Sequence, residues 1–261
     1  MIDIEVSVYS KMGKLGRTGR RRQSRRKADR CYGSVFDSNL IVLMQWAKRN
    51  GVYFGKVKPA NFAATGRGLM ACRKLKNGDC IVSVPEKLLI TTRTVERSKV
   101  AKLLTMVKDK LSARHLLCLF LLYERFCGED SFWFPYISTL PVSFSTPCYF
   151  DASDMEFLPE TFYRPYIEQI NTVTREYREV KHLMGENSLT CYWLTLDSFK
   201  WAWCVVNTRS VYMPSTGCNN CETSLGIQKV CSLCCKLRQE SSYALAPVLD
   251  LLNHSDTAEV K

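Results

Sequence analysis

The most constraining feature of the sequence lies near its end, where an apolar run changes abruptly into polar residues. Residues 243–249 read Tyr-Ala-Leu-Ala-Pro-Val-Leu, a short run that is typical of a buried strand. Asp250 follows directly, and Asn253 and His254 come three and four residues later. Polar side chains at the end of a buried strand are well placed to orient a ligand. The pattern therefore predicts a strand end that forms part of a binding site.

Size and composition favour a globular protein inside the cell. The chain has 261 residues, of which 46% are hydrophobic, and this suffices for one large domain or two small ones. Its longest apolar stretch, residues 116–123, is far shorter than the roughly 20 residues of a membrane span. No apolar signal region follows the N-terminal charges. The 13 cysteines fit reduced, buried thiols better than a disulfide framework, which predicts the nucleus and cytoplasm.

The positive charge is concentrated near the N-terminus. Residues 11–27 contain nine lysines and arginines and no acid, and the whole chain has a net charge of +12. Such a segment cannot bury apolar area, so residues 1–36 are predicted to form a basic disordered tail. Three interpretations stay open: a nuclear address, a weak nucleic-acid-binding arm, or a tail that is merely solvated.

Apolar residues recur at helical spacing in four places. The first predicted helix has Asp37 and Ser38 as cap candidates and stops at Gly51, and the last is capped by Asp197. The predicted helical segments are residues 38–50, 112–127, 159–187 and 197–206. Between the first two, residues 62–92 favour short strands. Asn77-Gly78 predicts a hairpin turn between residues 73–75 and 80–84.

One glycine-rich string imitates a dinucleotide-binding motif. Residues 66–71 read Gly-Arg-Gly-Leu-Met-Ala and satisfy the pattern G-x-G-x-x-A. A dinucleotide site needs the glycines to open a helix within a βαβ unit, and no such unit surrounds this string. It predicts either a simple turn or a close approach of the backbone to some other ligand.

Five short motifs, taken in order, identify a family. They are Gly66-Arg67-Gly68-Leu69, Val84-Pro85, Trp133-Phe134-Pro135-Tyr136 with Leu140-Pro141, Asn207-Thr208-Arg209, and Asp250-Leu251-Leu252-Asn253-His254-Ser255. In this combination the chain resembles the SET-domain lysine methyltransferases. It is most similar to the Rubisco large-subunit methyltransferase branch, in which a helical insert separates two halves of the SET domain.

The resemblance implies an α+β fold of short strands interrupted by a helical insert (iSET). Residues 37–110 would form the N-terminal half of the SET domain and residues 111–195 the helical insert. Residues 196–261 would begin the C-terminal half and include a cysteine-rich loop at residues 214–240. Members of the branch continue through further strands to a late tyrosine and then to a helical substrate-binding domain. The expectation is therefore that the catalytic tyrosine lies beyond Lys261, and that this chain alone is an incomplete, inactive form.

The resemblance also implies chemistry and site residues. Such enzymes transfer a methyl group from S-adenosylmethionine to a lysine amine of a protein substrate, histone or non-histone, without a metal. Gly66 to Leu69 would flank the methionine portion of the cofactor, whereas Asn253 and His254 would hold its amino group and adenine. The implied cofactor-binding residues are Gly66, Arg67, Gly68, Leu69, Asp79, Ile81, Arg209, Asp250, Asn253 and His254.

Several of these residues have an ordinary structural alternative. Arg209 could pair with an acid at a helix end, and Asp79 could be a solvated turn residue. His115 and His182 lie on predicted helices without a metal-ligand partner at suitable spacing, which favours packing or surface roles. No tyrosine can be assigned a catalytic role from the sequence.

The cysteine-rich loop leaves a second class of function open. Cys218 and Cys221, and then Cys231 and Cys234, form two C-x-x-C pairs at a spacing that tetrahedral zinc can use. A loop that is simply rich in cysteine is slightly favoured over a zinc site. The alternative to an enzyme is a non-catalytic adaptor, in which residues 11–27 bind nucleic acid and this loop recruits a partner.

Overall fold

The chain forms two compact units. A computed structural model describes residues 2–7, 31–34, 37–63, 65–185, 192–212, 243–253 and 259–260. One unit, here the sheet unit, comprises residues 1–89 together with 246–261, and the other, the helical unit, comprises residues 90–245. The compact units divide after residues 89 and 245. The predicted division at residues 110 and 195 stays a prediction.

The described elements are short strands and mostly short helices. The strands are β1 (Ile2–Ser7), β2 (Cys31–Ser34), β3 (Val57–Phe62), β4 (Gly66–Ala71), β5 (Cys80–Val84), β6 (Ser210–Tyr212), β7 (Tyr243–Leu245) and β8 (Glu259–Val260). The helices are α1 (Ser38–Arg49), α2 (Thr92–Glu96), α3 (Ala101–Leu104), α4 (Ala113–Cys127), α5 (Phe134–Ile137), α6 (Ala152–Glu156), α7 (Tyr163–Met184) and α8 (Leu196–Arg209). Among the described helices, none is long and apolar enough to cross a lipid bilayer.

The sheet unit contains two three-stranded antiparallel sheets, in the orders β5-β1-β8 and β2-β3-β4. The β3–β4 hairpin pairs Val57 with Ala71 and Ala60 with Gly68. Helix α1 begins after Asp37, whose side chain accepts a hydrogen bond from the Asn39 backbone N–H at 2.9 Å. This cap confirms the predicted start of the first helix.

Two strands lie within the stretch predicted to be a disordered tail. Strand β1 pairs with β5 from Ile2 opposite Val84, and β2 pairs with β3 from Cys31 opposite Phe62. At these two segments the tail prediction is wrong. The alternation of apolar and polar residues at positions 2–7 is a strand pattern, and pairing with a neighbouring edge satisfies its backbone groups. The basic residues 11–27 lie outside the described residues.

The predicted hairpin at Asn77-Gly78 is also wrong. A turn is present, since Gly78 has φ +81° and the Asp79 N–H donates to the Lys76 carbonyl at 3.1 Å. Residues 73–75, however, form no strand, and β5 pairs with β1 instead. The segment before the turn carries exposed basic residues and has no apolar face to bury, so turn chemistry alone does not produce a hairpin.

The core of the helical unit is formed by α4 and α8. Helix α4 is buried at eight successive positions from His115 to Leu122, and α8 is buried at seven, including Trp201 and Trp203. Helices that are apolar nearly all round must be covered on every side. The predicted helices at residues 112–127 and 159–187 are confirmed as α4 and α7, with Ser112 as the N-cap of α4.

A mostly buried carboxylate joins three helices of this unit. Glu176 of α7 accepts hydrogen bonds from Arg114 Nη1 and from Trp203 Nε1, each at 3.0 Å. His115 Nε2 lies 3.5 Å from the same carboxylate, and the Arg114 guanidinium lies 5.6 Å from the centre of the Trp203 ring. Burial alone would raise the pKa of Glu176, but hydrogen bonding to His115 and the charge of Arg114 outweigh it and lower the pKa. We call these four residues the Glu176 cluster.

The N-cap of α8 differs from the prediction. Thr195, not Asp197, caps the helix: its hydroxyl accepts from the Ser198 N–H at 3.2 Å, and the Ser198 hydroxyl accepts from the Thr195 N–H at 2.9 Å. Asp197 lies in the first turn with its side chain 91% exposed. An acidic residue inside the first turn interacts favourably with the positive end of the helix dipole, but it does not occupy the N-cap position.

This difference predicts unequal mutational effects. Thr195→Ala should lower the free energy of unfolding by about 1 kcal/mol, because it removes the cap acceptor. Asp197→Ala should cost less than about 0.5 kcal/mol, since only a solvent-exposed charge is lost. Urea unfolding of the two variants measures both values. Equal losses would contradict the assignment of the cap to Thr195.

Candidate functional site

The sheet unit brings Asn253 against the glycine-rich strand β4. The side-chain amide of Asn253 donates from Nδ2 to Thr65 Oγ1 at 2.8 Å. It also packs on the backbone of Gly68, where a methyl group would lie 2.4 Å from Nδ2 and 2.9 Å from Cγ. No real Cβ tolerates such contacts, so the position of this amide requires glycine at residue 68. Two segments that are far apart in the sequence thus form two sides of one site.

A short turn delivers Asn253 to this position. Residues Leu249–Leu251 form a 3-10 turn beside β4 and β5, with Leu249 and Leu251 buried. Before it, the fully buried Val248 has φ +72°, a left-handed conformation that is strained for a β-branched residue. Asp250 lies within the turn, where its backbone N–H donates to the Ala246 carbonyl at 3.1 Å. Buried leucines on either side of Asp250 anchor the segment that ends in Asn253.

Strand β4 presents backbone groups as well as glycines. Among the described strands it pairs with β3 alone, so it forms one edge of its sheet. A row of its N–H and C=O groups therefore points away from the ladder and is suited to a polar ligand. Arg67, in the middle of β4, lies 3.7 Å from the Asp37 carboxylate at the start of α1. The predicted residues from Gly66 to Leu69 thus lie on one strand beside Asn253.

Asp79 and Ile81 have structural partners of their own. The Asp79 carboxylate lies 2.5 Å from Lys56 Nζ and accepts from the Lys76 backbone N–H at 2.7 Å, and these hydrogen bonds lower its pKa. The side chain of Ile81 is buried in β5. These contacts match the alternative of a turn residue for Asp79. A cofactor-binding role for either residue stays a prediction.

The remaining predicted residues are not joined to this site by the described contacts. Arg209 is the last residue of α8 in the helical unit, where a positive charge complements the helix dipole. His254 and the four cysteines of the candidate zinc site lie outside the described residues. Within the described part of the chain, no group of three His, Cys, Asp or Glu residues could hold a metal ion.

Sequence reasoning missed two residues that the structure brings forward. Thr65 precedes the glycine motif directly and holds the Asn253 amide. Glu176 was not singled out from the sequence, although it lies three residues after Val173 and four before Val180, both buried. That spacing places Glu176 on the same face of α7 as the two buried valines, and this was the signal in the sequence that it would be buried.

Comparisons with known proteins found relatives in sequence and in structure. The mouse SET domain-containing protein 4 is 33% identical over 257 residues, covering 94% of this chain and 54% of that protein. The actin-histidine N-methyltransferase of Xenopus tropicalis is 30% identical over 206 residues, covering 73% of this chain and 34% of that protein. The crystal structure of the SET domain of LSMT bound to lysine and AdoHcy superimposes with a TM-score of 0.64 at 23% identity, covering 84% of this chain and 44% of that chain. No family model matches.

The chain therefore has the fold of a SET domain, and the predicted α+β SET-domain fold is confirmed. Its sequence is similar over nearly its whole length to SET domain-containing protein 4, and the chain spans about half the length of that relative (54%).

Proposed function

We propose that the protein is an S-adenosylmethionine-dependent protein-lysine N-methyltransferase. The observation that carries the proposal is the packing of the Asn253 amide on Gly68, with its Nδ2 engaged by Thr65. In addition, relatives of this chain are named methyltransferases, and the SET domain of LSMT has been solved with AdoHcy and lysine.

The residues of this site fit the chemistry of the cofactor. Its methionine portion carries an ammonium group, which requires acceptors, and a carboxylate, which requires donors. Because Nδ2 of Asn253 is held by Thr65, its Oδ1 is left to act as an acceptor. The edge of β4 that does not pair with β3 supplies backbone donors and acceptors next to the Asn253 amide. When bound, S-adenosylmethionine supplies an activated methyl group. What the protein contributes here is orientation of that group toward a neutral amine.

Thr65 is expected to act as a positioning residue in this scheme. Thr65→Val removes the acceptor for Asn253 Nδ2 at nearly constant volume, and it should weaken AdoHcy binding by about three- to tenfold, the value of one hydrogen bond. Thr65→Ser keeps the hydroxyl and should bind as the wild type does. Calorimetry with 5′-methylthioadenosine, which lacks the amino-acid portion, should show no loss in Thr65→Val. An equal loss for both ligands would assign Thr65 to general stability instead.

The next test identifies which amino acid of the substrate receives the methyl group. The purified protein would be incubated with tritiated S-adenosylmethionine and either histones or total cell lysate, and the labelled amino acid identified after hydrolysis. Where label is transferred, methyl-lysine is the expected product. Methyl-histidine is the second candidate, because the chain is 30% identical over 206 residues to the Xenopus tropicalis actin-histidine N-methyltransferase. The proposal would be refuted if the protein failed to bind AdoHcy and also transferred no label.

The cellular location is part of the same proposal. The basic run at residues 11–27 and the 13 cysteines support a protein of the nucleus and cytoplasm, with weak nucleic-acid contact through that run. Replacing its nine basic residues by glutamine should shift a fluorescent fusion toward the cytoplasm. An unchanged distribution would remove the nuclear-address interpretation.

A further inference from the structure

The helical unit contains a second concave site, which is independent of the proposed methyltransferase function. A cavity of about 460 Å³ lies between the C-terminal half of α4, the segment that joins α5 to α6, and the first turns of α8. This volume is within the range of pockets that hold a small ligand or a few side chains. Six of its lining residues determine its chemistry: Arg125, Phe126, Val142, Tyr149, Lys200 and Trp201.

Two of these residues are cations that lie over aromatic rings. The Arg125 guanidinium is 4.2 Å from the centre of the Trp201 ring, and Lys200 Nζ is 4.7 Å from the centre of the Tyr149 ring. Stacking on an aromatic face fixes a cation without consuming its hydrogen-bond donors. Both donors are therefore held in place at the cavity wall.

The cavity has little negative charge to balance these cations. Among the described residues, no carboxylate forms an ion pair with Arg125. Lys200 lies 3.6 Å from Asp197, whose side chain is 91% exposed and largely screened by solvent. Burial raises the pKa of Tyr149 to about 12, so its phenol stays neutral at physiological pH. The site as a whole is therefore complementary to an anion.

The two tryptophans that line the cavity, Trp193 and Trp201, are held in fixed positions. Trp201 is only 4% exposed, and its indole N–H donates to the Pro141 carbonyl at 2.8 Å. Trp193, which also lines the cavity, is buried and packs edge-to-face on Tyr123 with ring centres 6.2 Å apart. Because both indoles are fixed, the stacked guanidinium needs no large rearrangement to receive a ligand.

The mouth of the cavity is apolar. Phe126, Val142 and Tyr192 line it, and they are 53%, 83% and 77% exposed. Large apolar side chains exposed together beside a pocket are typical of a surface that binds another protein. A ligand that complements both the two cations and the apolar mouth carries a carboxylate with apolar neighbours.

We propose that this cavity binds an acidic peptide segment of a partner protein, in which a Glu or Asp carboxylate meets Arg125 and Lys200 while flanking apolar side chains pack at the mouth. Nucleic acid is disfavoured, because two cations beside an exposed Asp197 are too few to hold a phosphate backbone. A methylated lysine is disfavoured as well, because the two cations would repel it. Both serve as competing ligands in the test.

The experiment starts from random 12-residue peptides displayed on phage and selected on the complete purified protein. Selected sequences should contain Asp or Glu next to Leu, Ile, Phe or Tyr. A labelled consensus peptide is then compared with its Glu→Gln version by fluorescence anisotropy. The acidic peptide should bind at least about tenfold more tightly, as a charge-assisted hydrogen bond implies, and its affinity should fall with added salt.

Variants locate the binding. Arg125→Gln should weaken the acidic peptide about tenfold, whereas Arg178→Gln, on the exposed face of α7, should leave it unchanged. Val142→Glu places a negative charge at the mouth without disturbing the core and should weaken binding at least about threefold relative to Val142→Gln. The proposal is overturned if selection yields no acidic consensus or if Arg125→Gln binds as the wild type does. It is equally overturned if single-stranded RNA or a trimethyl-lysine peptide displaces the probe more effectively than the unlabelled acidic peptide.

Discussion

Gly68→Ala is expected to weaken binding of S-adenosylhomocysteine by roughly 10- to 100-fold. A Cβ at residue 68 would lie 2.4 Å from Asn253 Nδ2, so the amide must move away from β4. That movement breaks its hydrogen bond to Thr65 and withdraws the acceptor proposed for the cofactor ammonium group. Loss of one hydrogen bond to a charged group, about 1.5–3 kcal/mol, corresponds to this range.

Calorimetric titration of the purified variant measures the change directly. Gly185→Ala is the matched control, because Gly185 has φ +65°, lies in open space and belongs to the helical unit. It should lose about 1 kcal/mol of stability from backbone strain and keep full affinity for the ligand. Unchanged affinity in Gly68→Ala, with Asn253 still required for binding, would remove Gly68 from the site.

Glu176→Ala should lower the free energy of unfolding by about 2–3 kcal/mol, more than the other substitutions predicted to affect stability. The change leaves Arg114 and the Trp203 indole N–H without the carboxylate that accepts from both at 3.0 Å, in a place where the Glu176 side chain is 13% exposed. Removing one partner of a mostly buried ionic network costs more than the net value of the contact, because the remaining groups stay desolvated.

Glu179→Ala provides the comparison on the same helix. Glu179 is 53% exposed and lies 3.8 Å from Arg175 in a surface pair, so its loss should change stability by less than about 0.5 kcal/mol. Urea unfolding of both variants separates the two values. Similar losses would mean that the Glu176 cluster contributes no more than a surface ion pair.

The stability that Glu176 provides should also depend on pH. Its pKa is lower in the folded protein, so its contribution is complete above the unfolded value of about 4.3 and is lost as the pH falls through the folded value. The stability difference between the wild type and Glu176→Gln should therefore be present at pH 7 and shrink below about pH 4. A difference that grows on acidification would reverse the assigned direction of the pKa shift.

Local signals in the sequence predicted local structure well. Asp37 was a cap candidate, and its side chain does accept from the Asn39 backbone N–H. The helix predicted at residues 112–127 from its periodicity does begin there, with Ser112 as its N-cap. The same kind of signal misled at Asn77-Gly78, where the turn formed but the partner of β5 came from residues 2–7. Turn chemistry fixes a bend in the chain, whereas strand pairing depends on edges contributed from elsewhere.

The candidate site could be predicted in its main residues but not in its contacts. Gly68 and Asn253 stood out as motif residues, and the structure places them in contact. Thr65 carries no signal of its own, since a threonine before a glycine is ordinary in a turn. Its role appears only when the fold brings Asn253 to it. The cavity beside Arg125 and Trp201 has the same origin, because its walls come from segments separated by loops.

The hydrogen bond between Thr65 and Asn253 joins residues that are 188 positions apart. A ribosome adds roughly 5–20 residues per second, so about 10–40 s separate the synthesis of the two. During that interval β4 exists without the segment that completes its pocket, while the continuous helical unit between them can already condense. Ligand capture at this site therefore has to wait until Asn253 has been synthesised, and chaperones that shield β4 would act within that interval.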